Sequence, residues 1–223
     1  MQNACVWSCV LNKPAMLAAT ASADFSCKLW NAISGQELQS WVHGHIVRSA
    51  HFSTTTGKLA TACHDKCLRV FDTGSLTAEP FVVAGLADAV RSAKFLRNDT
   101  SLLVSYASRA GLDVIDVRTG KVAQSLATAA PVTSIDIAHD GATVTTAAGV
   151  EVGVYDGESM RQLHRVEALQ QVESASLHAA KGQLVVGGRD MWAYMLDFPS
   201  GKPVMVRGRP AAQSATSTAR CCG

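Results

Sequence analysis

The sequence predicts an all-β fold built from five copies of one unit, and three observations support this prediction. A Val-x-Ser phrase recurs at intervals of 41, 43, 42 and 40 residues, with its valines at Val6, Val47, Val90, Val132 and Val172. A pair of one apolar and one polar residue keeps the same phase, at Trp30-Asn31, Phe71-Asp72, Ile115-Asp116, Tyr155-Asp156 and Leu196-Asp197. Between the two markers, short apolar segments alternate with turns rich in Gly, Asp, Asn, Ser and Thr, which is typical of short strands.

A period of about 40 residues with four strands per copy is typical of the blades of a WD40 β-propeller. In the second unit, the predicted strands are Val47–Phe52, Leu59–Cys63, Cys67–Phe71 and Glu79–Ala84. Residues Glu158–Leu169 have some helical periodicity, but the repeat phase makes them a turn and a fourth strand. We therefore predict about five four-stranded blades over residues 1–207, with approximate bounds 1–42, 43–85, 86–127, 128–167 and 168–207.

The last residues, 208–223, have a different composition from the repeats. They are rich in Ala, Ser and Thr and contain too few large apolar side chains to bury a core. We predict a low-complexity, disordered tail for this segment.

Composition excludes several kinds of partner. The chain has 20 Lys and Arg against 18 Asp and Glu, a net charge of +2, which is too balanced to predict direct binding of nucleic acid. No apolar stretch reaches the roughly 18 residues that cross a bilayer, so membrane insertion is not expected. Without a secretory signal, and with an odd number of cysteines (seven), the sequence predicts a cytoplasmic protein, which could also enter the nucleus, rather than a disulfide framework.

Two patches of sequence resemble a named family. The first combines Val6–Lys13, Ala18–Phe25, Lys28–Trp30, Ser34-Gly35 and His45–Arg48, and the second is Ser174–His178 with Val186–Gly188. These residues resemble the serine/threonine kinase receptor-associated proteins, also called Unr-interacting proteins, and the resemblance covers roughly residues 1–207. Subunit i of translation initiation factor 3, a propeller of similar build, resembles the chain at Ala175-Ser176-Leu177 as well and is the alternative within the fold.

The resemblance implies a seven-bladed propeller that acts as a non-catalytic adaptor. Members of the family are associated with the survival-of-motor-neuron complex, which assembles spliceosomal ribonucleoproteins, and with restraint of TGF-β receptor signalling. The expected partners are therefore other proteins in a multi-subunit complex. Because only five units are present here, we expect an open or incomplete ring, in which the first and last blades each expose an apolar face.

The family also implies a His–Asp–Ser/Thr–Trp hydrogen-bond network in the turns of each blade, which this chain keeps only in parts. The second unit comes nearest, with His43, Thr61 and Asp65, but its Phe71 has no N–H to donate. In the other units, the expected turn network retains Asp24, Trp30 and Asp190.

The middle residue of each Val-x-Ser phrase varies while its neighbours repeat. Since residues two apart on a strand share a face, we expect Val and Ser on one face and the middle residue on the other, near one rim of the propeller. A position free to differ between blades suits a binding surface, although solvation of an ordinary rim is the alternative. The predicted protein-binding residues are Trp7, Arg48, Arg91, Thr133 and Glu173, with His45 in an adjoining loop.

No other motif predicts chemistry. Cys63-His64-Asp65-Lys66-Cys67 lacks the second cluster that a zinc site needs, and no glycine-rich loop leads into a helix as a phosphate site requires. A propeller enzyme is the alternative from another functional class, but it would need converging carboxylates or metal ligands that the repeat positions lack. We expect no catalytic residue, no metal and no cofactor.

Overall fold

The computed structural model describes residues 4–97, 99–138, 140–168 and 170–208, without the side chains of 206–208. These residues form antiparallel strands grouped in five blades. Blade 1 contains β1 (Val6–Leu11), β2 (Leu17–Ser22), β3 (Ser26–Asn31) and β4 (Glu37–Val42). Blade 2 contains β5 (Val47–Phe52), β6 (Lys58–Cys63), β7 (Leu68–Asp72) and β8 (Phe81–Val83). Blade 3 contains β9 (Val90–Phe95), β10 (Ser101–Tyr106), β11 (Ala110–Asp116) and the first part of β12 (Val122–Ile137). Blade 4 contains the second part of β12, with β13 (Thr143–Ala148), β14 (Glu151–Asp156) and β15 (Gln162–Glu167). Blade 5 contains β16 (Val172–His178), β17 (Gln183–Gly188), β18 (Trp192–Asp197) and β19 (Pro203–Gly208).

The third and fourth blades share one long strand, β12. Its first part is the outer strand of blade 3 and pairs with β11, and its second part is the inner strand of blade 4 and pairs with β13. The two blades therefore form one seven-stranded sheet, whereas blades 1, 2 and 5 are separate four-stranded sheets. The boundary predicted between residues 127 and 128 falls inside this continuous strand.

The core lies between the blades. Four clusters of buried side chains each combine residues of two consecutive blades. Between blades 1 and 2, for example, Leu29 packs in the same cluster as Phe52 and Phe71. Each blade is thus stabilised mainly by its neighbours in sequence, as in other repeat architectures.

The two terminal blades leave one apolar face uncovered, as predicted for an open arc. Val6 of blade 1 is 49% exposed, whereas its counterpart in blade 2, Val47, is fully buried. On blade 5, Val185 and Met205 are 43% and 44% exposed. The described blades form a propeller-like array that does not close into a ring.

Each inner strand contains a β-bulge at the Val-x-Ser phrase. In blade 2, Val47 pairs with Cys63 and Ser49 pairs with Ala62, so Arg48 is the extra residue on its strand. The same irregularity recurs in the other four blades.

The bulge corrects the expectation that the valine and the serine share a face. Val47 is buried in one cluster with Ala50 and Phe52, three and five residues further on, because the extra residue reverses the alternation of side chains. Simple strand periodicity gave the wrong face for the serine. The middle residue of the phrase lies outside the core, as predicted, but the reason is the bulge and not the alternation of side chains.

Three other sequence predictions can be compared with the described residues. The fourth strand of blade 2 is shorter than predicted, Phe81–Val83 instead of Glu79–Ala84. Residues 158–167 form a turn followed by β15, which confirms the repeat phase over the helical periodicity. The predicted tail, apart from Gly208, lies outside the described residues. A single 3₁₀ turn, Ala179–Lys181, is the one helical element described, and no helix in these ranges is long and apolar enough to cross a membrane.

The first two blades each contain one half of the turn network that the resemblance implies. In blade 1, the Trp30 indole N–H donates to Thr20 Oγ1 at 2.8 Å, and Asp24 accepts from the backbone N–H of Ser26 at 3.0 Å. In blade 2, His43 Nε2 lies 2.9 Å from Thr61 Oγ1, and its Nδ1 lies 3.2 Å from the carbonyl oxygen of Trp41. Since a carbonyl can only accept, Nδ1 carries the proton and Nε2 accepts from the threonine hydroxyl.

Asp65 and Asp190 bind partners other than a histidine. Asp65 accepts from Arg69 at 2.8 Å and from the backbone N–H of Cys67 at 3.0 Å. Asp190 accepts from the Tyr194 hydroxyl and from the backbone N–H of Trp192 at 3.1 Å. These carboxylates hold their own hairpin turns closed.

Blade 3 has a different network, which the sequence did not predict. The buried carboxylate of Asp113 accepts from Tyr106 Oη at 2.6 Å, from Arg109 at 2.6 Å and from Ser125 Oγ at 2.7 Å. Burial alone would raise the pKa of Asp113, but these hydrogen bonds outweigh it and lower that pKa. Arg109, which stands where a turn aspartate is expected, is therefore a donor to an acid deeper in the same hairpin.

Gly157 and Gly57 provide a test of packing in the hairpins. A Cβ on Gly157 would lie 1.9 Å from the carbonyl oxygen of Gly141, whereas a Cβ on Gly57 would meet nothing within 4 Å. We expect Gly157→Ala to lower the free energy of unfolding by about 2 kcal/mol or more, because backbone must move. The matched Gly57→Ala should change it by less than about 0.5 kcal/mol. Urea titration followed by tryptophan fluorescence measures both, and equal midpoints would contradict the structure.

Two inner histidines predict acid sensitivity. Burial is the largest cause that lowers the pKa of His43 to about 4 and that of His51 to about 3. The unfolded chain, with histidine pKa near 6.5, therefore binds more protons below that pH, and stability falls as pH drops from about 6.5 towards 4, by up to about 1.4 kcal/mol per pH unit for each histidine.

The variant His51→Asn removes the titrating imidazole while it keeps a hydrogen-bond acceptor at the same position. His51 Nδ1 accepts from the backbone N–H of Phe95 at 3.1 Å, and the asparagine oxygen can replace that acceptor without titrating. Urea unfolding at pH 7, 6 and 5 should give a flatter dependence for the variant than for the unmodified chain. An unchanged slope would show that His51 is not kept neutral by folding.

Candidate functional site

Four of the five bulged residues meet at one depression where the inner strands begin. We call the five residues Trp7, Arg48, Arg91, Thr133 and Glu173 the bulge rim. The depression has a volume of about 320 Å³ and is open to solvent. Its lining consists of Trp7, Ser8, Arg48, Ser49, Arg91, Ser92, Lys94, Thr133, Ser134 and Ile135.

Trp7 and Arg48 join blades 1 and 2 at this rim. The Arg48 guanidinium carbon lies 4.0 Å from the centre of the Trp7 ring, which is the geometry of a cation–π contact. Trp7 remains 51% exposed, so the pair is a surface feature and not part of the core. Stacking fixes the plane of the guanidinium and leaves its edge N–H groups able to donate.

Arg91 and Glu173 continue the bulge rim across blades 3, 4 and 5. Arg91 Nε donates to the backbone carbonyl of Thr133 at 3.2 Å, and its Nη2 lies 3.9 Å from Glu173 Oε2. Glu173 also accepts a hydrogen bond from Arg189 Nε. The Thr133 hydroxyl lies 3.2 Å from two backbone carbonyls, those of Ala147 and Val172. These contacts connect successive bulges to each other.

The electrostatic character of the depression is positive. Burial lowers the pKa of Arg48, and the positive charge of Arg91 lowers it further, which places the two guanidinium groups within each other's field. Lys94 adds a third cation, whose pKa burial lowers while Asp136 raises it. None of the residues that line the depression is acidic.

His45 lies beside the depression and does not line it. Its ring stacks on that of His64, with centroids 5.7 Å apart, and contacts the Phe25 ring at a tilt, with centroids 5.4 Å apart. Burial, followed by Arg48 and His45, lowers the pKa of His64. The three rings form a small aromatic ledge at the edge of the same rim.

The structure thus brings Trp7, Arg48, Arg91 and Thr133 into one depression, joins Glu173 to it through Arg91, and leaves His45 outside. Sequence reasoning missed Lys94 and Arg189. Lys94 could have been found by counting side-chain alternation from the bulge, since it lies two residues after Ser92. Arg189 had no such signal, because its contact with Glu173 joins two strands.

The side chains of the bulge rim are of kinds that suit contact with another protein. Within the described ranges, no three His, Cys, Asp or Glu side chains are grouped so that they could hold a metal ion. The thiols of Cys63 and Cys67 lie close to backbone carbonyls, those of His45 at 3.3 Å and Asp65 at 3.6 Å. The rim presents an aromatic ring and guanidinium groups, which are enriched at protein–protein interfaces, together with hydroxyls that can donate and accept hydrogen bonds.

Comparison with known proteins agrees with the blade architecture. The family model "WD domain, G-beta repeat" matches residues 2–31 and 35–72, which contain the four strands of blade 1 and the first three strands of blade 2.

Over nearly the whole chain, the sequence is similar to curated proteins named serine-threonine kinase receptor-associated protein. The chicken protein is 35% identical and the human protein 34% identical over 197 residues, which are 88% of this chain. The chain spans 56% of the length of each of these two relatives. The protein from Dictyostelium discoideum is 30% identical over 201 residues, 90% of this chain and 68% of that relative. By sequence and by blade architecture, the chain belongs to the family of WD-repeat serine-threonine kinase receptor-associated proteins.

Proposed function

We propose that this chain is a non-catalytic scaffold that binds other proteins through the bulge rim. The observation that supports the proposal most directly is the convergence of Trp7, Arg48, Arg91 and Thr133 on one depression. These residues lie outside the core clusters between the blades, so the fold does not fix their identity. Tryptophan and arginine are also the residues most enriched among the energetic anchors of interfaces.

The family membership directs the proposal towards particular assemblies. The relatives are named for association with a serine-threonine kinase receptor, and we extend that association to this chain. We also propose a place in the survival-of-motor-neuron complex that assembles spliceosomal ribonucleoproteins, with the chain acting in the cytoplasm and the nucleus. No observation favours the alternative, a subunit of translation initiation factor 3.

Co-purification distinguishes these assemblies. The tagged chain, expressed in cells and recovered under mild conditions, should bring down survival-of-motor-neuron components or a TGF-β-type receptor. Recovery of initiation-factor subunits in their place would contradict the proposed assignment and support the alternative.

The bulge rim itself is tested by charge reversal. The double variant Arg48→Glu/Arg91→Glu should reduce partner capture by about tenfold or more, because truncating or reversing a central interface charge acts on affinity directly. Its circular dichroism spectrum should stay close to that of the unmodified chain, since neither arginine belongs to a core cluster. Its urea midpoint should fall only slightly, because Arg91 loses its hydrogen bond to the Thr133 carbonyl and its ion pair with Glu173.

A matched control keeps the change in net charge the same. Arg118 and Arg161 are exposed residues in the outer turns after β11 and β14, away from the bulge rim. Arg118→Glu/Arg161→Glu should capture partners as well as the unmodified chain does. Equal capture by both double variants would show that the rim is only a solvated edge.

A further inference from the structure

We propose that the partner enters the depression with an acidic peptide segment, whose side-chain carboxylate binds the guanidinium groups of Arg48 and Arg91. This inference rests on the proposed function, because it names the chemistry of the partner at the same rim.

Charge complementarity identifies the sign of the partner. Arg48, Arg91 and Lys94 line the depression, and no acidic residue does. Glu173 lies just outside the depression, where its carboxylate is 3.9 Å from Arg91 and is shared with Arg189. The net charge of +2 for the whole chain therefore hides a local concentration of cations.

Arg48 is the cation without an internal anion. Among the described residues, its guanidinium has no ion pair and no hydrogen bond, and it lies over the face of Trp7. Every other arginine near the rim has a carboxylate, with Glu173 serving both Arg91 and Arg189. A guanidinium that is held in place but unpaired suits an anion supplied from outside.

The surroundings of Arg48 fit a planar carboxylate, which can accept two parallel hydrogen bonds, better than an anion without that geometry. Stacking on Trp7 fixes the guanidinium plane, so its edge can donate two parallel hydrogen bonds to one carboxylate. The hydroxyls of Ser92 and Ser134 also line the depression and form no hydrogen bond with another described residue, so both can donate to the second oxygen or to the peptide backbone.

The number of unpaired charges favours a monoanion. Arg91 is already partly compensated by Glu173, and the charge of Asp136 acts on Lys94. The Arg48 guanidinium is then left without an anion, and one glutamate or aspartate carboxylate satisfies it. A phosphate, with close to two negative charges, would also bring the second charge near Glu173. We therefore assign the site to an unphosphorylated acidic segment.

Fluorescence anisotropy with labelled peptides tests the assignment on the whole chain. The probes are a glutamate-rich decapeptide, the same decapeptide with glutamine, the same with lysine, and a phosphoserine decapeptide of equal net charge. We expect binding of the glutamate peptide, at least about tenfold weaker binding of the glutamine peptide, and weakening of the glutamate complex as salt rises.

A variant with reversed charges distinguishes loss of the binding site from loss of folding. Arg48→Glu/Arg91→Glu should lose the glutamate peptide by about tenfold or more and gain the lysine peptide, a change that an unfolded chain would not show selectively. Arg48→Lys should retain only part of the affinity, because it keeps the charge but not the stacked, two-pronged geometry. The control Arg118→Glu/Arg161→Glu should bind like the unmodified chain.

Three results would overturn the inference: no preference for glutamate over glutamine, equal glutamate binding by the rim variant and the control, or binding of the phosphopeptide alone. The partner-capture experiment separates this failure from that of the proposed function. If the rim variant loses its cellular partner although no acidic peptide binds, the rim is an interface of different chemistry. If capture is unchanged, the proposed function fails and the inference fails with it.

Discussion

The β-bulge at the start of each inner strand is the constraint on which the arrangement of the rim depends. One extra residue places the repeat valine with the apolar residues three and five positions later, and so lets it enter the core between two blades. The same extra residue leaves the ladder and points away from that core. One local irregularity, repeated five times, therefore completes the packing and supplies the surface.

The bulged residues are not independent of each other. Arg48 stacks on Trp7 from the preceding blade, and Arg91 reaches the backbone of Thr133 and the carboxylate of Glu173 in the following ones. Because each blade packs mainly on its neighbours, such contacts fix the relative positions of residues that lie between 41 and 82 positions apart in the sequence. The rim is consequently a surface of the array and not of any single blade.

The turns show that different residues can form the hydrogen bonds that a blade needs between its strands. Blade 1 uses Trp30 with Thr20, blade 2 uses His43 with Thr61, and blade 3 buries Asp113 among three donors. In each case a polar group that folding removes from water receives a partner, which is what stability demands. The residues that form the hydrogen bonds of the turns can therefore differ from blade to blade while the hairpins keep their structure.

The sequence by itself determined the period, the all-β class, the five units and the residues that vary within the Val-x-Ser phrase, because core packing forces apolar residues to recur in phase. It did not determine which way the serine faces, since alternation along a strand fails at a bulge. Only the tertiary structure decided that Lys94 joins Arg48 and Arg91, that His45 stays outside, and that Arg109 serves Asp113. Those outcomes depend on contacts between strands and between blades. The positions of residues in the sequence do not give the distances between such residues in space.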